Sequence, residues 1–352
     1  MLDTPKRVAD TGELTTIEID ESRKQSPEEI TPWLDKKLRG ELPVEGLDGS
    51  HGIWLSPTNV FQTNDVYYAP EYGAVMNSRS EIYEATAAEA KFLTPDYSLI
   101  PSKSDFNGTS LDEACIFMAW GGNTNYGHFL IDCLSGIMAL EQAGIKYPLV
   151  SPTLKPFHRE LLALLGVEVA EISEPIVHAK KAAWSSCMDH YLQAPNATIL
   201  SVRDRILANI EMKPGGPDKV YVSRSRIDDK RRMVNEVELE DRLSAEGFAI
   251  IHPQDLSIAD QVRLFRNASI VIGATGAQMA NALFMRPGTI AMEITPSNYS
   301  GIWVRNICHL TGVNWFSHYF PSPITDLPNS SWLFSYWIDV DEFVKFALEA
   351  SR

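Results

Sequence analysis

Residues 269–296 read SIVIGATGAQMANALFMRPGTIAMEITP. SIVIG is a short apolar, β-branched run of the kind buried on both faces of a parallel sheet. ATGAQMANALF follows at once and opens a helix, and TIAMEIT closes the stretch with a second strand. Gly273 and Gly276 stand where the first strand hands over to the helix. Backbone N–H groups at a helix start attract an anion, and glycine lets a phosphate approach where a Cβ would obstruct it. Any tight turn between strand and helix also favours glycine, so spacing alone leaves both readings open. The pattern is neither GxGxxG nor a P-loop, which argues against a dinucleotide-dependent oxidoreductase.

The same rhythm extends upstream. KVYVSRSR (219–226) is a strand with its exit loop, and NEVELEDRLSAEG (235–247) is a helix ending at glycine. FAIIHP (248–253) is a strand, and SIADQVRLFRNA (257–268) is a helix with Ser257 as N-cap. Together these make a doubly wound α/β unit. KPGGPD (213–218) holds two prolines and two glycines in six residues and reads as a linker. Before it, CIFMAW (115–120), YPLVS (147–151) and VEVAEI (167–172) read as strands. Helices are predicted after residue 125, over HRELLALLG (158–166) and around 199–210. Strands alternating with helices predict a mostly parallel sheet here too. Residues 51–76 predict β-structure, and the polar first residues predict a loosely held arm. The expected division is an arm at 1–45, an α/β domain at 46–212, the linker at 213–218, a second α/β domain at 219–330 and a terminal helical region at 331–352.

Charge narrows the function. The 352 residues carry 31 Lys and Arg against 46 Asp and Glu, a net charge of −15. Nucleic-acid partners need a cationic surface, so they are not expected. Of the surplus, residues 1–110 hold 19 acids against 10 bases. Four separated cysteines without a CxxC pair fit reduced thiols. No signal peptide or bilayer-spanning run is evident, so a cytoplasmic location is expected and the five N-x-S/T sequons, at Asn107, Asn196, Asn267, Asn298 and Asn329, are read as coincidence.

Against that acidic background, Lys219–Arg232 holds six bases and two acids. Arg224 and Arg226 leave the carboxyl end of a strand, where open α/β sheets bind ligands, and arginine's fork suits a diphosphate. Lys230–Arg232 reads as a solvated run. His128 and Asp132, spaced i,i+4, share one helical face, and a carboxylate beside a histidine orients its ring for proton transfer. The plainer alternative makes Asn125 a helix cap and His128 a core residue.

NYGHFLIDCL (125–134), VYVSRSR (220–226), the following NEVEL and the block at 271–296 together resemble glycosyltransferase family 61, in the right order over about residues 120–300. The resemblance implies a GT-B-like fold: two Rossmann-type doubly wound domains facing a cleft, here with an N-terminal β-rich extension. It implies inverting transfer from a nucleotide-sugar, with a UDP-sugar the first expectation, to a saccharide or lipid-linked saccharide. No cofactor or metal is expected, and peripheral membrane association fits a lipid-linked acceptor. Bacterial surface-polysaccharide synthesis is the expected setting. Carried over by position, Arg224 and Arg226 resemble the diphosphate clamp. Thr275, Gly276, Ala277 and Gln278 resemble the helix-end cradle, with Asn281 one turn on. Glu293 resembles a ribose acceptor or, equally, a buried acid paired with an arginine. His128 or Asp132 becomes the base, and Asn125 and Tyr126 frame the acceptor side. Thr275 stands where the family has histidine, which leaves a sugar-nucleotide-binding protein without turnover as the alternative.

Two further signals read as structural. Asp339 and Asp341 form a D-x-D pair, a metal-binding pattern in other transferases, but Asp339 as N-cap of a last helix is simpler. Trp303, Trp315, Trp332 and Trp337 are expected to pack in the core or between domains rather than to form a sugar-stacking platform. The scattered histidines lack zinc-ligand spacing.

Overall fold

The computed structural model describes residues 7–8, 14–20, 23–25, 38–40, 53–55, 57–83, 86, 100–189, 198–227, 231–297, 299, 301–321 and 335–351. Asp228, Asp229, Lys230, Trp332, Asn196, Asn298 and Asn329 lie outside these residues, as does most of the expected arm. The chain forms two compact units, Met1–Arg23 with Leu55–Asn209, and Lys24–Trp54 with Ile210–Arg352.

The first unit holds a sheet with nine strands among the described residues. They are β1 (Arg7–Val8), β2 (Thr15–Asp20), β3 (Thr58–Ala69), β4 (Ala74–Met76), β5 (Ile82–Tyr83), β6 (Ser110–Ile116), β7 (Leu149–Ser151), β8 (Ala170–Glu171) and β9 (Val177–Ser185). Their order is β1-β5-β4-β3-β9-β6-β7-β8, with β2 also on β3. The expected mostly parallel sheet is instead mixed. Strands β6 to β9 pair in parallel, whereas β9 meets β3, and β3 meets β2 and β4, in antiparallel. Between β3 and β4 the cause is local: a single turn, Pro70–Tyr72, closed by Gly73 at φ 58°, joins them, and so short a connection can only reverse the chain.

Helix α1, residues 126–142, is α-helical at Tyr126–His128, π-helical at Phe129–Cys133 and α-helical again at Leu134–Gln142. Every residue from Leu134 to Leu140 is buried, and the helix packs on β9 and on α3 (Thr198–Ala208). Between them in sequence, α2 (Pro156–Leu165) starts on a proline and stops at Gly166, whose φ of 73° favours glycine.

The second unit is the doubly wound one. Strands β10 (Lys219–Val222), β11 (Ala249–Ile251), β12 (Ile270–Ala274), β13 (Ile290–Pro296) and β14 (Asn314–Phe320) are all parallel, in the order β11-β10-β12-β13-β14. A short strand at Leu38–Gly40 adds in parallel to β14. The chain turns outward in opposite directions from β10 and β12, so the switch point of the sheet lies between their carboxyl ends. Helices α4 (Glu236–Ala245), α5 (Ile258–Asn267), α6 (Trp303–Thr311) and α7 (Val340–Ala350) complete the unit. Leu239 and Leu243 of α4 and Phe343, Val344 and Ala347 of α7 share one core with Tyr221, Ile272, Met292 and Ile294 of the sheet. Ser257 caps α5, accepting from Asp260 N at 3.2 Å, and Asp339 caps α7, accepting from Glu342 N at 2.9 Å. Asp341 pairs with Arg242 at 2.9 Å.

The expected helix after Gly276 is present and is of the 3-10 type, Ala277–Phe284, with Met279 to Phe284 buried. One local expectation needs correction. Trp337 is 64% exposed, because Tyr336 and Ile338 on either side point inward and alternation turns it out. Trp303 and Trp315 are buried as expected.

Candidate active-site residues

In the first unit, Asn125 sets the entry of α1. Its side chain accepts from Gly127 N at 2.8 Å and His128 N at 3.3 Å, which satisfies two of the first N–H groups of the helix. His128 and Asp132 then meet across one turn, Nδ1 to Oδ2 at 2.9 Å. Both are buried. If His128 Nδ1–H is donated to Asp132, the ring's lone pair is on Nε2, the arrangement a proton acceptor needs. The turn joining them is the π-helical one, with Leu134 N–H bonded to Phe129 O; such turns recur at functional sites.

This turn is held from outside. Gly122 packs so closely that a Cβ there would fall 2.3 Å from Cys133 Sγ. Its carbonyl lies 2.9 Å from His158 Nε2, while His158 Nδ1 accepts from Lys155 N at 3.0 Å, so Nε2 carries the donated hydrogen. Burial lowers His158 to about 4, and the charges of Lys155 and Arg159 add to that, so it is neutral at pH 7. The His158 ring stands 4.3 Å from that of Phe129, and Tyr126 meets Phe157 edge-on at 6.0 Å.

In the second unit, Arg224 follows β10 and Thr275 follows β12, and the register Val222 to Gly273 brings them to the switch point together. Tyr221 OH donates to Glu236 Oε1 at 2.8 Å, and Arg224 N donates to the same oxygen at 2.7 Å. Burial pushes Glu236 upward, opposed chiefly by that backbone hydrogen bond. The Arg224 guanidinium donates to Gln278 Oε1 at 3.2 Å, and Gln278 Nε2 donates to Ala274 O at 2.8 Å. A Cβ on Gly276 would lie 2.5 Å from Arg224 Nη1, so glycine is what lets the guanidinium lie on the turn. Thr275 N is fixed to Ile294 O at 2.9 Å.

Other expected residues sit differently. Arg226 is an exposed side chain in an ion pair with Asp255 at 2.8 Å. Asn281 is fully buried and donates to Gln261 of α5 at 3.0 Å. Glu293 is buried on β13 with Trp315 Nε1 donating to Oε2 at 2.8 Å. Burial pushes it up to about 7, against hydrogen bonds from Trp315 and Thr275 and the charge of Arg231.

The family model Glycosyltransferase 61 matches residues 126–292. Over those residues, a little under half of the chain, it is similar to glycosyltransferase family 61. No curated protein matches it significantly.

The match supports glycosyl transfer, a reaction that takes a sugar donor and an acceptor. The family match begins at Tyr126, covers the His128–Asp132 pair, Arg224 and the turn at 275–278, and stops one residue before Glu293. Among the described residues no group of three His, Cys, Asp or Glu could hold a metal ion, and no helix is long and apolar enough to cross a membrane. Residues that sequence reasoning passed over also stand at these sites. His158 carries no motif and is found only by the contact of α2 with Gly122. Glu236 is the glutamate of the Asn-Glu pair, read there as a helix start. Arg231 lies over the ring of Tyr299, 4.8 Å from its centre, although it reads in sequence as a solvated charge.

Proposed function

We propose that this glycosyltransferase moves a sugar from a nucleotide-sugar, a UDP-sugar first among them, to a hydroxyl of a saccharide or lipid-linked saccharide, with inversion and without a bound metal. The buried His128–Asp132 pair is the observation that carries the reading. His128 Nε2 takes the acceptor proton while the freed oxygen attacks the anomeric carbon, and Asp132 stabilises the imidazolium that results. As the bond to the diphosphate breaks, negative charge gathers on the leaving phosphate. Arg224 and the backbone N–H groups of the turn after Thr275, at 276–278, receive it. Thr275 brings no charge, and its hydroxyl hydrogen-bonds Glu293. Asn125 and Tyr126 belong to the acceptor side in this reading. A GT-B-like arrangement and a place in bacterial surface-polysaccharide synthesis, on the cytoplasmic side, go with the same proposal.

The donor half is tested by thermal shift against UDP-, GDP-, CMP- and dTDP-sugars. One of them is expected to raise the melting temperature, by about 2.7 kcal/mol of stabilisation at a hundred times Kd. Arg224→Ala is expected to weaken that donor about tenfold or more, the worth of one charge-assisted hydrogen bond. A panel without a single shift contradicts the reading. Binding without transfer or donor hydrolysis supports the alternative that Thr275 raises, a protein that holds sugar-nucleotides without turning them over.

A further inference from the structure

We propose that Arg231, seated on the ring of Tyr299, is the second cation of the donor-diphosphate site, the role that the sequence reading gives to Arg226. The inference rests on the donor reading above and adds the residue that completes it.

Arg231 and Tyr299 both belong to loops at the carboxyl end of the second sheet. Tyr299 stands three residues beyond the end of β13, and Trp303 Nε1 donates to its hydroxyl at 3.1 Å. Gly301 packs so closely that a Cβ there would run into the Tyr299 hydroxyl and the adjoining ring edge. The guanidinium carbon of Arg231 lies 4.8 Å from the ring centre, a cation–π contact. Thr275 stands in hydrogen-bonding relation to both Tyr299 and Glu293, and the charge of Arg231 acts on both. Arg224 and Arg231 together act on the buried Tyr336. The two arginines therefore serve one neighbourhood, the turn at the switch point.

The backbone carries a second, independent mark. Arg231 has φ 59°, in the left-handed region that a residue with a long side chain seldom adopts. Its frame is imposed by neighbours on one side: Tyr336 N donates to Arg232 O at 3.0 Å, and Val234 N donates to Tyr336 O at 2.9 Å. Strain of this kind persists where the surroundings over-determine it, and it clusters at ligand clamps. Arg226, by contrast, is exposed and committed to Asp255, and an exposed pair of that sort is screened by salt.

The test is calorimetric. Wild type is titrated with UDP, GDP, CDP, dTDP and ADP, and the tightest of them is carried through Arg231→Ala, Arg231→Lys, Arg226→Ala, Tyr299→Phe and Tyr299→Ala, each beside the matching nucleoside. Arg231→Ala is expected to raise Kd for the diphosphate about tenfold or more, and Tyr299→Ala several-fold. Arg226→Ala and Tyr299→Phe are expected to stay within about twofold. Nucleoside affinity is expected to stay unchanged in all five, which a general loss of structure would not permit. Arg231→Lys keeps the charge and loses the fork, so an intermediate loss is expected, and it carries the comparison if Arg231→Ala does not fold. A tenfold loss in Arg226→Ala with Arg231→Ala unaffected overturns the inference while leaving the donor reading standing. An equal loss of nucleoside and diphosphate also overturns it. If wild type binds none of the five, the donor reading fails and this inference falls with it.

Discussion

Glu293 is 2% exposed on β13, and His158 is wholly buried at the start of α2, yet both are ionisable. Glu293 keeps its proton in the native state up to about 7, whereas an unfolded glutamate gives it up near 4.5. Between those values the native state binds more protons than the unfolded one, so stability from this residue is lost as the pH rises through that window. His158 acts in the opposite sense. Its native value of about 4 lies below the ordinary 6.5, so stability is lost as the pH falls through that interval. The two slopes oppose each other where they overlap, and a variant separates them better than the raw stability curve does. Glu293→Gln keeps an acceptor for Trp315 without a charge to bury. It is expected to gain stability over wild type at pH 8, on the order of 3 kcal/mol at most, and little at pH 5. Denaturant melts at the two pH values measure the difference, and an equal effect at both would contradict a buried carboxylate as its source.

At the level of elements, the π-helical turn of α1 brings His128 to Asp132, and Asn125 decides where the helix begins. Asn125→Ala removes an acceptor for two N–H groups. It is expected to cost about 1 kcal/mol of stability and, by loosening the first turn, to lower the turnover number more than donor affinity. Chemical denaturation and donor titration of the same variant check both halves; a weakened donor with unchanged turnover would contradict the assignment of this helix. The sequence showed the i,i+4 spacing of His128 and Asp132 but not the π turn, a change in backbone hydrogen bonding that no residue type announces. The strands and helices between Lys219 and Pro296 were legible because strand, glycine and helix alternate there without interruption. Strand β9 was not. It is a central strand with a parallel neighbour on one side and an antiparallel one on the other, and Lys180 and Lys181 break its pattern by pairing with Asp112 and Glu113 across β6. Arg231 was illegible for another reason: its role depends on a ring 68 positions away in sequence, and local charge gave no sign of it.

For the molecule as a whole, a net charge of −15 coexists with Arg224 at the sheet switch point. Bulk charge bears on partners such as nucleic acid; the local cations bear on the donor. Composition could indicate the first but not which arginine faces the turn, because that depends on how β10, β12 and β13 are ordered. Segments from the first 45 residues join both sheets, β1 and β2 in the first unit and Leu38–Gly40 in the second, a long-range pairing that polar, turn-rich sequence does not announce. Glycosyl transfer calls on both units in the proposed mechanism, with the base in one and the diphosphate residues in the other. The most direct measurement is therefore the transfer rate of His128→Ala and Asp132→Asn at saturating donor, with donor affinity measured on the same preparations. The account predicts a fall in turnover of about a hundredfold or more in His128→Ala, a smaller fall in Asp132→Asn, and donor affinity unchanged in both. Full turnover in both variants would contradict it.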